Sequence, residues 1–188
     1  MVILTELPPG SSSTHDYRYD VFLSFRGRDT RLGFTNHLYE ALKNANLTTF
    51  LDDEEIETGE DLKPELENAI KASRAFIVVL SVDYASSTWC LNELVLILDQ
   101  HRNYGRILIP IFYHVEPTDV RKQQSSFGDA MAKHKQRMET EESAEKKSQW
   151  ARNIELWEKA LTEVADLKGK DAKKSVTTFL PHSCASMM

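Results

Sequence analysis

The chain has 188 residues, 41% hydrophobic and 28% charged, and its 23 Lys and Arg against 29 Asp and Glu give a net charge of −6. That length suits one packed domain with extensions rather than two, and an acidic chain with no long Lys/Arg run is a poor binder of nucleic-acid phosphates. No apolar run nears the roughly 20 residues of a membrane span, and Cys90 and Cys184 form neither a disulfide framework nor a metal-like spacing.

The opening Met1-Val-Ile-Leu-Thr-Glu6 lacks the basic and apolar regions of a signal peptide, which points to a reducing compartment. Residues 1–16, with Pro8-Pro9-Gly10 followed by Ser11 to Ser13, read as a disordered leader. Strands are predicted at Tyr19–Phe25, Leu47–Leu51, Ala75–Ser81 and Arg106–Phe112. Three of the four are nearly continuous apolar runs, the pattern of parallel strands covered on both faces. Between them, Phe34, Leu38 and Leu42 recur at helical spacing, as do Leu62, Leu66, Ala69 and Ile70, and then Leu91, Leu94, Val95 and Leu98. Beyond Glu116 the chain is polar and helix-prone, and residues 175–188 carry no defensible period. Strict alternation of strand and helix predicts an α/β fold with one open parallel sheet, whose ligands bind beyond the carboxyl ends of the strands.

Four segments therefore bear on chemistry. Ser24–Arg31 places Arg26, Arg28 and Arg31 just before a helix, but it holds one glycine and no phosphate-loop motif. Guanidinium groups and free helix N–H groups suit a diphosphate or a carboxylate; pairing with the acidic loop that follows is the other reading, and both stay open. Asp52–Asp61 has seven acids in ten positions, without the alternation a calcium loop needs, and reads as an extended, solvated segment. In the segment that enters the third helix, Glu93 is the sole acid between Asp83 and Asp99, with Trp89 and Ile97 one turn away. Such a carboxylate suits stabilisation of a cationic substrate, while a first-turn glutamate facing the helix dipole is the simpler role on spacing alone. The fourth segment is Tyr113–Val120. A phospho-receiver, a GxSxG hydrolase and a histidine metal site all lack their residues.

These blocks together resemble the plant-type TIR domain. Tyr19-Asp-Val-Phe-Leu-Ser-Phe-Arg-Gly27 is similar to its first strand, and Asp29-Thr-Arg31 with Phe34 and His37 continues it. Thr49-Phe-Leu-Asp-Asp53 with Gly59 resembles its BB loop. Tyr84-Ala-Ser-Ser87, Trp89-Cys-Leu91 and Glu93-Leu94 resemble the next block, and Ile109-Pro-Ile-Phe-Tyr113 with Val115-Glu-Pro-Thr-Asp-Val-Arg121 the fourth strand and its exit. The resemblance covers 17–171 and leaves 172–188 as an atypical tail.

It implies a flavodoxin-like sheet of five parallel strands with helices on both faces. It also implies cleavage of NAD+ at the nicotinamide–ribose bond, in some members with formation of cyclic ADP-ribose isomers, in plant immune and cell-death signalling. NAD+ is then a substrate, and neither a prosthetic group nor a metal is implied. The essential acid falls on Glu93, with Phe25, Arg26, Gly27, Glu54, Gly59 and Trp89 bordering the substrate. TIR domains self-associate, in part through the helix bearing Asn36 and His37, so a homo-oligomer and other TIR-containing receptors are the implied partners, with no membrane or nucleic acid. The implied location is cytoplasmic and nuclear. A catalytically weak adaptor acting through TIR–TIR contacts is the alternative. Arg28 stands where the family usually has Glu, and Asn36 where it commonly has Ser. The stretch after Asp171, with Pro181, does not support the family's final amphipathic helix.

Overall fold

The computed structural model describes residues 17–51 and 64–167 together with the backbone of 170–171. Five strands, β1 (Tyr19–Phe25), β2 (Thr49–Leu51), β3 (Ser73–Leu80), β4 (Ile107–Phe112) and β5 (Lys170–Asp171), form one parallel sheet in the order β2-β1-β3-β4-β5. The expected open five-stranded α/β sheet is borne out. Leader residues 1–16, the Asp52–Asp61 loop with Glu54 and Gly59, Leu62 and the tail at 172–188, where the final helix is in question, lie outside the described residues.

Side chains on a strand alternate between faces, and β1 sorts its residues accordingly. Phe22 joins Phe76, Val78, Leu80 and Phe112 in the larger core, while Val21, Leu23 and Phe25 join Ile77, Val79 and Ile111 on the opposite face. The larger core is closed by α3 (Pro64–Lys71), α4 (Thr88–Tyr104), α6 (Ser125–Thr140) and α7 (Ala144–Asp166), which supply Ile70, Leu94, Phe127 and Trp157 among others. A short helix, α5 (Pro117–Arg121), adds Val120. The smaller core is covered by Phe34, Leu38, Tyr39 and Leu42 from the segment leading into and along α2 (Asn36–Asn44), none of whose side chains is fully buried.

One expectation fails in part. In β4 only the last three residues are buried, and Ile107 and Ile109 are 56% and 36% exposed. They share a face with Ile111 by strand periodicity, but unlike Ile111 they are not buried. Helix α4 is bounded as local chemistry dictates. The Ser87 hydroxyl accepts the Cys90 N–H at its start, and Gly105, at φ +64°, ends it in a left-handed turn suited to glycine.

Candidate functional site at the sheet switch point

In this order β1 connects to β2 on one side and β3 to β4 on the other. The crevice beyond the carboxyl ends of β1 and β3 is therefore the switch point at which such sheets bind ligands. Ser24, the last residue but one of β1, lies on the face that also carries Phe22, toward α4. The 3₁₀ turn Tyr84–Ser86 follows β3, and α4 begins immediately after it. Glu93, in the second turn of α4, points back at β1.

The Glu93 carboxylate is 2% exposed, and its Oε2 accepts the Ser24 hydroxyl at 2.6 Å. Ser24 Oγ also lies 3.1 Å from the Tyr84 hydroxyl, which donates to the Cys90 carbonyl at 3.1 Å. Burial pushes the Tyr84 phenol well above its ordinary value of 10.0, and the thiol of Cys90 and the carboxyl of Glu93 push the same way, while the Ser24 hydrogen bond opposes them. Tyr84 is therefore a neutral donor at physiological pH. Glu93 is no solvated first-turn acid: it is a buried carboxylate that accepts a hydrogen bond from the Ser24 hydroxyl.

The rim is built from α1 (Gly27–Thr30) and the kinked turn Arg31–Thr35 that follows it. Asp29 Oδ2 accepts the Ser81 hydroxyl at 2.5 Å and the Asp83 N–H at 2.9 Å, tying α1 to the exit of β3. Thr30 and Thr35, 2% and 1% exposed, are joined by a 2.6 Å hydrogen bond that holds the kinked turn against the helix. Arg26 is partly buried, and among the described residues its buried Nε has no hydrogen-bond partner. The Arg31 guanidinium sits over the Phe25 ring at 6.0 Å, and Arg28 is exposed. Arg26, Arg28 and Arg31 thus stand on the segment that follows β1, whose Ser24 binds the buried Glu93 carboxylate; guanidinium groups suit a phosphate and a carboxylate suits a positive centre.

Of the residues singled out in the sequence, Phe25, Arg26 and Gly27 fall at the end of β1 and the start of α1, in chain continuity with Ser24, the hydrogen-bond donor to Glu93. Trp89 is buried in the larger core one helical turn before Glu93. Asn36 and His37 are exposed at the start of α2. Sequence reasoning missed Ser24, Tyr84, Asp29 and Ser81 as a group. The available signal was strand periodicity, which puts Ser24 on the helix-α4 face; its partner lies 69 positions away and is not legible locally.

The family model for the TIR domain matches residues 18–182. Among curated proteins, disease resistance protein RPV1 of Vitis rotundifolia is 47% identical over 80% of this chain and 10% of its own length. TMV resistance protein N of Nicotiana glutinosa is 45% identical over 85% of this chain and 13% of its own length. The chain therefore spans about a tenth of the curated relatives it matches. Among solved structures, the TIR domains of the activated Roq1 resistosome, which directly recognises the pathogen effector XopQ, match with a TM-score of 0.70 and 41% identity over 85% of this chain and 91% of that one. The chain belongs to the TIR domain family.

Proposed function

We propose that this chain is an NAD+ glycohydrolase that acts in plant immune and cell-death signalling through TIR self-association. The single observation that carries the chemistry is the buried Glu93 carboxylate, oriented by Ser24 at the switch point of the sheet. The signalling role is supported by kinship with plant disease resistance proteins. Assembly is supported by likeness to the TIR domains of a resistosome.

In this reading the bond between nicotinamide and ribose C1′ breaks and its electron pair goes to the pyridine nitrogen, which leaves neutral. The ribosyl group takes on oxocarbenium character, as in glycoside hydrolysis, and Glu93 offsets the charge and holds the ribose hydroxyls. Water adds to C1′ and loses a proton, or a group of the adenosine portion adds instead and closes a cyclic ADP-ribose isomer. Arg26 and its neighbours neutralise the diphosphate. Phe25, Gly27 and Trp89 border the substrate together with Glu54 and Gly59 of the acidic loop. The chain needs no prosthetic group in this scheme, and its place of action is the cytoplasm and nucleus.

Incubating concentrated protein with NAD+ and following nicotinamide tests the reading. The wild type releases nicotinamide, and Glu93→Ala keeps the fold by circular dichroism but releases none. Full turnover in that variant would remove the assignment. The second reading, an adaptor that works through TIR–TIR contacts with other immune receptors, is favoured by the exposure of Asn36 and His37 on α2. A wild type that self-associates yet leaves NAD+ intact would select it.

A further inference from the structure

A count of protons around Glu93 gives the hydroxyl groups beside it a direction. As a carboxylate Glu93 only accepts, and Ser24 has a single proton to give, so the 2.6 Å contact is Ser24 donating to Glu93. The Ser24 oxygen is then left as an acceptor. The nearest described donor is the Tyr84 phenol, whose one proton faces both Ser24 Oγ and the Cys90 carbonyl at 3.1 Å each. Tyr84 is completely buried and Ser24 is 1% exposed. Water is thus kept from replacing either hydroxyl, and a phenol proton shared between the Cys90 carbonyl and Ser24 Oγ strengthens the bond that Ser24 gives onward.

The three side chains come from β1, the turn after β3, and α4, which meet only where strand order reverses. We propose that Ser24 and Tyr84 are positioning residues for Glu93: the Tyr84 phenol orients the Ser24 hydroxyl, and that hydroxyl fixes the carboxylate at the switch-point crevice. This rests on the reading of Glu93 as the acid that serves NAD+ cleavage. A merely structural role makes a different prediction. Loss of the hydroxyl would then lower stability while the carboxylate stayed where it is and turnover per folded molecule was unchanged.

The test compares Ser24→Ala, Ser24→Thr, Tyr84→Phe and Glu93→Ala with the wild type by nicotinamide release from NAD+, at one protein concentration and with melting temperatures in parallel. Ser24→Ala should lose about 10- to 100-fold in kcat, the cost of a carboxylate displaced by about an ångström, with KM changed less than about threefold. Tyr84→Phe should lose less, because Ser24 keeps its proton for Glu93. Ser24→Thr restores the donor on a strand that accepts β-branched residues, and its kcat should return to within about threefold of wild type. A Ser24→Ala crystal structure should show the Glu93 carboxylate shifted or divided between rotamers.

Wild-type kcat in Ser24→Ala beside an inactive Glu93→Ala overturns this inference and leaves the functional reading standing. If the wild type itself spares NAD+, the functional reading falls and crystallography decides alone. A Glu93 carboxylate in its original place in Ser24→Ala then overturns the inference.

Discussion

The side chain of Asp29 caps the backbone N–H of Asp83 at 2.9 Å and takes the buried Ser81 hydroxyl with the same oxygen. One carboxylate thereby joins the helix that follows β1 to the turn that follows β3, across the mouth where the candidate site opens. Replacing Asp29 with Ala leaves the buried Ser81 hydroxyl and an exposed amide without their acceptor. The expected loss is about 1–3 kcal/mol by denaturant unfolding. Because α1 also carries the start of the arginine-rich rim, KM for NAD+ should rise more than kcat falls. A variant of unchanged stability would show that the two loops are held together by other contacts.

Acid should destabilise the fold through His134. Its Nε2 lies 2.9 Å from the Ala85 carbonyl, and its ring packs 5.2 Å from Trp157 and 6.1 Å from Trp150. Burial holds its pKa below the ordinary 6.5, Arg137 one turn on pushes the same way, and the bond to Ala85 opposes both. The neutral form is thus the one the folded state prefers. The stability this gives is present above 6.5 and is lost as pH falls below that value toward the depressed pKa of the folded state. His134→Gln keeps a donor for Ala85 and does not titrate. Between pH 7.5 and pH 5 the wild type should lose more in Tm than this variant. Parallel Tm curves would contradict the assignment.

Trp157 is a buried contact through which α7 holds the helix that bears Glu93, beside the exposed Arg102–Glu163 ion pair. It is 2% exposed, meets Trp150 edge-on at 5.8 Å, and donates its indole N–H to Asn92 Oδ1 at 2.8 Å. Trp157→Ala should cost about 3–5 kcal/mol, from the cavity and the unpaired Asn92 carbonyl together. Trp157→Phe retains most of the ring and should cost less than half as much. Equilibrium urea unfolding of both variants measures the difference, and equal losses would assign the effect to the hydrogen bond alone.

If assembly completes the active state, nicotinamide release per molecule should increase with protein concentration. The exposed Asn36 and His37 on α2 are the residues to vary. Charge reversal at that surface, as in His37→Glu, should shift the activity curve to higher concentration and leave the melting temperature within about 1–2 °C, as surface substitutions generally do. A flat specific activity across a hundredfold dilution would count against dependence on assembly.

Strand and helix identity were legible because their causes are local. The apolar runs at 19–25 and 75–81 and the Leu91, Leu94, Leu98 spacing each read correctly, with edges moved by one or two residues. The reading of β4 as covered on both faces failed at Ile107 and Ile109, because what covers a strand is decided by another part of the chain.

By itself, the sequence determined the alternating α/β order, the edge of the sheet at which to look, and Glu93 as a lone acid among apolar neighbours. Those follow from periodicity and composition, which act over a few residues. Only the tertiary structure decided that Ser24 binds that acid and Tyr84 binds Ser24, that Asp29 ties α1 to Ser81 and Asp83, and that Trp157 supports the helix beneath. Such contacts span 52 to 69 positions and arise from the strand order, which brings together the ends of β1 and β3 and the start of α4. A hydrogen bond depends on where two atoms lie in space, and that distance is fixed only when the whole core has packed.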